Sequence, residues 1–397
     1  MGTYTDLYTT QTLSTTGTRK RDVGDTIRHL MPSASLMPLV SSGNIEGIEG
    51  VSRERKLFGK RKVKSPLFEG FTWSPFAITF TTTSYDGSTA LVVTSTTGIV
   101  GKMSLVNTSN NTTCYVDSVT NGTTLVVTTY GATAFSAAAG DVLMCLTIHM
   151  EEKSSVPPIL MKDPDNFNNI TFIHRSATGI SWTARQSEHF GGDRYTHMKK
   201  ESHTSAMRNI SNTLLFDNKP GSGEKNTSGL GTTYGSCDGL VAFAGSEFDF
   251  RGAPTYESFI NEGPLKWGDS VSSDTTMLMF CGYEFWATIL GWMNSGLCEC
   301  EPGTYDKWGV KSNKLMTCRG DVEVMIIDAY NRGDFKRQAL VCNPENIDFI
   351  YLNNCDLQIR EGIQNASVHG DEDELWGEIS IMSNDNGDSI CKYVNVL

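Results

Sequence analysis

The stretch that most restricts how this chain can fold lies around residues 80–147. Short Val- and Thr-rich runs follow one another there, TALVVTS, MSLVN, TCYVDSV, TLVVTTY and DVLMCLTIHM, with Asp86-Gly87 and Asn121-Gly122 among them. Asp-Gly and Asn-Gly accept the positive φ that tight hairpin turns require. Short strands at regular spacing, joined by such turns, predict a small all-β barrel or sandwich. On either side the chain reads as extended, SRERKLFGKRKVKSPLFEGFTWSPFAITF before the block and NNITFIHRSATGISWTARQ after it. Pro66 and Pro75 confine the first arm to an edge, because proline has no N–H to give to a sheet ladder. The block therefore reads as an insertion: residues 80–147 fold as a β-domain between the arms of one long ribbon, 51–79 and 148–184.

Beyond the ribbon the apolar period changes. Ala206, Ile210 and Leu214 recur at i, i+4 and i+8 with Met207 beside them, which predicts a long helix over 186–217 with a narrow buried stripe. A Gly-rich loop, DNKPGSGEKNTSGLGTTYGSCDG, ends it, and a compact α/β region follows. Its most apolar run, MLMFCGYEFWATILGWM (Met277 to Met293), reads as a buried helix capped by SSDTT. Gly282, Glu284 and Gly291 interrupt that run, and it is too short for a membrane span. Strands DVEVMIIDAY, QALVCNP and NIDFIYLNN come next, and WGEISIM, SNDNGD and SICKYVNV read as a closing hairpin. At the other end residues 1–20 read as an extended Thr-rich arm, followed by a short helix that Pro32 stops. Nothing there resembles a secretion signal, so the ten scattered cysteines are expected as reduced thiols.

Formal charge is −12 over 397 residues, which excludes the chain as a whole from general electrostatic nucleic-acid binding. Its positive charge is local. Arg53, Arg55, Lys56, Lys60, Arg61, Lys62 and Lys64 crowd one ribbon arm, and DEDE (Asp371 to Glu374) is the acidic counterpart. Such runs ordinarily form solvated faces; the sharper reading makes the seven cations a contact between subunits. No catalytic, cofactor or metal residue is singled out. GSGEKNT lacks the Gly-Lys-Ser/Thr of a phosphate loop, and GLGTTYG misses the dinucleotide spacing. Cys298, Cys300 and Cys318 lack the paired knuckles of a zinc site, and His189, His197 and His203 have no ligand spacing. No hydrolase or zinc-protease signature occurs. The triplets Arg319 to Asp321 and Arg332 to Asp334 read as turns.

In this order, extended arm, long two-armed ribbon, lone long helix, mixed α/β domain and closing β-hairpin, the layout resembles the major capsid proteins of tailed bacteriophages with the Hong Kong 97-like fold. DTIRHLMPSASLMPLV is similar to that family's N-arm, and NPENIDFIYLNNCDLQI and GEISIMSNDNGDSICKYVNV look like its peripheral-domain strands. Gly140 to Leu143 resembles the end of a β-domain that one subgroup carries inside its E-loop. The resemblance implies an α+β chain with an N-terminal arm (1–50), an E-loop ribbon (51–79 and 148–184), the inserted β-domain (80–147) and a spine helix with peripheral domain (185–226). It further implies an axial domain (227–343), then peripheral strands and a C-terminal hairpin (344–397). The implied role is a non-enzymatic subunit of hexamers and pentamers, in an icosahedral virion shell assembled in a bacterial cytoplasm. That shell would enclose double-stranded DNA without sequence-specific binding. Implied partners are further copies of itself, a separate scaffolding protein, a portal and cement or decoration proteins, with no cofactor and no membrane. Alternatives are a tail or decoration protein of a phage and, more remotely, a β-rich surface adhesin.

Overall fold

The computed structural model describes residues 58–73, 76–130, 133–150, 152, 163–187, 193–219, 235–252, 255–264, 267, 275–296, 300–302, 312–317, 320–365 and 367–396. Outside them lie the expected arm 1–50, Arg53, Arg55, Lys56, His189, residues 220–234 of the Gly-rich loop, Cys298, Cys318 and Arg319. The chain forms two compact units, one of residues 71–166, the other of residues up to 70 and from 167 on.

Strands β1 (Gly59–Val63) and β2 (Leu67–Thr72) come first. The smaller unit then contributes β3 (Thr79–Tyr85), β4 (Ala90–Val93), β5 (Met103–Asn107), β6 (Thr113–Val119), β7 (Thr124–Thr129) and β8 (Val142–Ile148). These close into a barrel in the order β3-β4-β7-β6-β5-β8. The turn dipeptides act as their chemistry predicts. The Asp86 carboxylate accepts the N–H groups of Ser88, Thr89 and Ala90 between β3 and β4, and Asn121 Oδ1 accepts those of Thr123 and Thr124 between β6 and β7. Period-2 alternation then sends Leu91, Leu105, Leu125 and Leu143 into one closed core, whose buried members all come from residues 80–143.

In the larger unit β9 (Asp165–Ile170) pairs with β2, and β10 (Phe172–Ser181), α1 (Trp182–Gln186) and α2 (Arg194–Phe216) follow. Next come β11 (Ser246–Gly252), α3 (Tyr256–Glu262), β12 (Thr276–Cys281), α4 (Tyr283–Asn294), β13 (Cys300–Pro302), β14 (Ser312–Thr317) and β15 (Gly320–Ile326). The chain ends with β16 (Ala339–Cys342), β17 (Ile347–Leu352), β18 (Gln358–Arg360), β19 (Gly370–Ser383) and β20 (Cys391–Val396). One sheet runs β1-β17-β19-β10, with β18 also on β19; the other runs β11-β20-β16-β12-β15-β14-β13. The whole is an α+β structure. Helix α2 begins at an Asp193 cap and buries Ala206, Met207, Ile210, Leu214 and Leu215. That stripe packs where the sheets meet, against Phe172, Phe349 and Ile379 of the first and Leu278, Phe280 and Leu340 of the second.

Three sequence expectations need correction. The apolar run from Met277 is not one helix: it divides at Gly282 into β12 and α4, and α4 has no side-chain cap, so SSDTT does not start it. Met277, Met279 and Cys281 pack with Phe285, Ile289 and Trp292, while Leu278 and Phe280 face the α2 side. A strand buried on both faces has no polar positions to reveal its period of two. The ribbon is also shorter than expected. Among the described residues β2 and β9 form it, while Gly59–Val63 and Phe172–Ser181 are terminal strands on opposite sides of the first sheet, paired with β17 and β19. Finally, the closing hairpin is not a hairpin. β19 belongs to the first sheet and β20 to the second, so the turn between them passes the chain from one sheet to the other.

Burial also sets thiol reactivity. Cys114, Cys237, Cys281, Cys342 and Cys391 are buried, whereas Cys145 and Cys355 are partly exposed. Burial pushes the Cys114 thiol up to about 12 and Cys145 to about 11, away from the reactive thiolate. Brief alkylation of native protein, mapped by peptide mass spectrometry, is expected to label Cys355 and spare the buried five until denaturant is added. Native labelling of those five at the Cys355 rate would contradict the core packing.

Candidate assembly surface

Strand β1, with Lys64 just after it, carries the described part of the basic run. Its five residues pair in parallel with Asp348 to Leu352, so Lys60, Arg61 and Lys62 lie on a hydrogen-bonded terminal strand rather than on a loose arm. Lys60 is engaged within the chain: Nζ lies 2.5 Å from Asp356 Oδ2 and 5.1 Å from the centre of the Tyr351 ring. Arg61 lies against Met382, with Nη1 3.9 Å from the sulfur. Of the four described cations of the run, Lys62 and Lys64 are thus exposed and without a carboxylate partner among the described residues. Lysine on a terminal strand also discourages indiscriminate edge pairing.

The acidic run is not a solvated face. Asp371 to Glu374 lie in β19, and each of three carboxylates meets a cation from a neighbouring element: Asp371 with Arg185 of α1, Asp373 with Lys199 of α2, and Glu374 with Arg175 of β10. The Glu374 side chain is only 3% exposed. Hydrogen bonding to Arg175 lowers its pKa despite the burial that opposes ionisation. For Asp373 burial is the largest influence and raises the pKa, but Lys199, the Tyr195 hydroxyl and the Gly362 N–H together bring it below the usual range. Read along the sequence, DEDE looks like solvent-facing charge; its partners are distant in sequence and only the sheet brings them together.

A buried amide fixes the base of the ribbon. Asn169 Nδ2 donates to the carbonyls of Ile381 (2.7 Å) and Asp238 (3.0 Å), and its Oδ1 accepts the N–H groups of Ile170 (2.8 Å) and Asp238 (2.9 Å). Val63, Phe68, Ile350 and Met382 pack beneath.

What remains outward is apolar and edge-like. β1 and β10 end the first sheet, and β11 and β13 end the second, each paired on one side only among the described residues. Outward on β10, Ile173 is 58% exposed; beside the same sheet, Ile359 is 52% and Trp182 is 45% exposed. None of these three was singled out from the sequence. The signal was present in FIHRSATGIS, where Phe172 and Ile180 turn inward and Ile173 outward, but assigning the segment to a ribbon hid it. Among the described residues no group of His, Cys, Asp and Glu is placed to hold a metal ion, and no helix is long and apolar enough to cross a membrane.

No family model matches the chain, and no curated protein matches it by sequence. By structure it resembles phage and GTA capsids. A structure of Mycobacterium phage Bobi aligns over 97% of this chain and 98% of its own, at 8% identity and a TM-score of 0.47. The capsid of a native GTA particle aligns over 96% of both, at 9% identity and a TM-score of 0.43. The SrpI encapsulin of Synechococcus elongatus covers 59% of this chain and 77% of its own, at 12% identity and a TM-score of 0.41.

Proposed function

We propose that the chain is the major capsid protein of a tailed double-stranded DNA bacteriophage. It assembles into the hexamers and pentamers of an icosahedral shell, in a bacterial cytoplasm, and remains in the virion. In this reading the fold is Hong Kong 97-like. Strands β2 and β9 belong to the E-loop, the barrel β3–β8 is a domain inserted there, and α2 is the spine helix. The first sheet supplies the peripheral domain and the second the axial domain. The observation that carries the reading is a subunit that, among the described residues, leaves β10 open on one side beside exposed Ile173 and Trp182, surfaces that are a liability in isolation and are satisfied by copies of the same chain. The net charge of −12 suits a container that encloses DNA without gripping it along its length. Scaffolding, portal and cement or decoration proteins are the partners this role requires.

Negative-stain images of the purified protein test it. Rings, sheets or closed shells are expected, and uniform monomers at every concentration would overturn the reading. Within it, Lys62 and Lys64 contact acidic surface on an adjacent subunit. Lys62→Glu with Lys64→Glu is expected to lower particle yield most at low salt and to leave the circular dichroism of the subunit unchanged. Each exposed pair contributes only about 0–1 kcal/mol, but every subunit of a shell repeats it. Undiminished yield at low salt would remove the basic strand from the contact and leave the shell reading standing. Lys60 is omitted from this test because its bond to Asp356 supports β1 itself.

A further inference from the structure

A second surface of the larger unit has the makings of a ligand site. Along α2, Arg208, Asn212 and Phe216 follow at intervals of four, so one helix flank presents a guanidinium, a carboxamide and an aromatic ring in a row. Opposite them, the short helical turns at Asp328–Asn331 and Gly333–Arg337 bring up Arg332 and Phe335. Between the two walls is a cleft of about 410 Å³, within the range of pockets that take small molecules, roughly 300–1,000 Å³.

Part of its lining is held by the fold, Phe216 and Ala329 against the core, and part remains open. Phe335 stacks on Phe216 with ring centres 4.5 Å apart and an interplanar angle of 28°. It is still 40% exposed, so its outer surface is open to a further ring. Arg208 has no carboxylate partner among the described residues, and the side-chain amides of Asn209 and Asn212 make no hydrogen bond there. Arg332 is held at 3.3 Å by Asp328 through Nη2, an arrangement that orients the guanidinium and leaves its other N–H groups to donate. The lining carries two cations against one anion, on a chain of net charge −12.

We propose that this cleft binds a nucleotide unit of single-stranded nucleic acid. The base stacks on the open face of Phe335, and its edge meets the carboxamides of Asn209 and Asn212, which offer donor and acceptor together. The phosphate sits between Arg208 and Arg332. An acidic peptide would use the two guanidiniums but leave the ring face and both carboxamides unmatched. A duplex would hide its base faces in the stack. The inference does not rest on the shell reading, and either can fail without the other.

The test is fluorescence-anisotropy titration of the full-length protein with a labelled single-stranded oligodeoxynucleotide of about ten residues, a length that spans one binding footprint. The duplex of the same sequence and a poly-glutamate peptide are parallel probes. The single strand is expected to bind saturably and more tightly than either. Arg208→Ala and Arg332→Ala should each weaken it and lower the salt slope by about one. Phe335→Leu keeps apolar packing on Phe216 but removes the ring face, and it should weaken binding at least about fivefold. Asn212→Asp alters only an exposed helix position and replaces the carboxamide at the base edge with a carboxylate that cannot donate and that adds negative charge to the cleft, so it tests the site even if a Phe335 variant fails to fold. Binding by these variants equal to the parent would overturn the proposal. So would a duplex that binds as tightly as the single strand. Tighter binding of poly-glutamate would instead give the cleft to an acidic protein partner.

Discussion

Gly387→Ala is expected to destabilise the larger unit by about 3 kcal/mol or more, whereas Gly362→Ala costs about 1 kcal/mol. Both glycines have positive φ, +82° at Gly387 and +68° at Gly362. Both substitutions therefore place an L side chain in left-handed backbone. They differ in what surrounds the new methyl group. At Gly362 nothing lies within 4 Å of the added carbon, but at Gly387 it would sit 1.7 Å from the carbonyl oxygen of Phe243. A carbonyl of the main chain cannot swing aside as a side-chain tip can, so the two segments must separate.

That turn is where the chain leaves one sheet for the other. Asp385 organises it: Oδ1 accepts from the Ser383 hydroxyl (2.5 Å) and the Gly387 N–H (3.1 Å), and Oδ2 accepts from the Ser389 N–H (3.0 Å) and Asn346 Nδ2 (2.9 Å). Moving Gly387 disturbs this set together with the approach of Gly245, whose N–H donates to the Gly387 carbonyl at 3.2 Å. Urea unfolding followed by tryptophan fluorescence measures the effect, because Trp267, Trp292 and Trp376 all lie in this unit. If the two variants fell within about 1 kcal/mol of each other, well inside a typical total of 5–15 kcal/mol, the close approach at Phe243 would be wrong.

Legibility in the sequence followed the range over which each signal acts. The barrel strands were readable because Asp86 and Asn121 organise their turns through bonds to neighbouring residues. The α2 stripe was readable because Ala206, Ile210 and Leu214 share one flank with a polar remainder. β12 was misread because burial on two faces removes the alternation that marks a strand. The Ser383-to-Ser389 turn was misread for another reason: a local hairpin pattern does not say which strand each arm will pair with. Of the candidate surface, the basic strand was visible by composition. Its Lys60–Asp356 bond joins residues 296 apart in sequence, and so does not show in any window. The cleft beside α2 shares that limit, since Arg208 and Arg332 become neighbours only after two helical segments pack.

The barrel is expected to fold without the rest of the chain, and its removal to leave the larger unit folded; under the proposed capsid role removal also reduces particle yield and heat stability. Its buried core draws only on its own strands and the loops between them, and residues at its two ends already pair, Thr79 with Met144, with the Cys145 N–H donating to the Ile78 carbonyl at 2.7 Å. A short Gly/Ser linker in place of residues 80–143 therefore joins Thr79 to Met144 without pulling on either side. The excised segment 76–150 should melt cooperatively by circular dichroism. Within the full chain, Leu125→Ala removes a side chain that is fully buried in the barrel core. Such a truncation costs about 2–5 kcal/mol, which is much of what a barrel of this size can have. The barrel transition should move to lower temperature. The tryptophan transition of the larger unit should not, because Trp73, the one tryptophan of the smaller unit, is exposed and outside the barrel core, and that core is not shared with the other unit. Movement of both transitions together would show one cooperative body and refute autonomy. A linker variant that assembles with unchanged yield and heat stability would refute the contact role, and the barrel would then be a self-contained fold with no part in holding the shell.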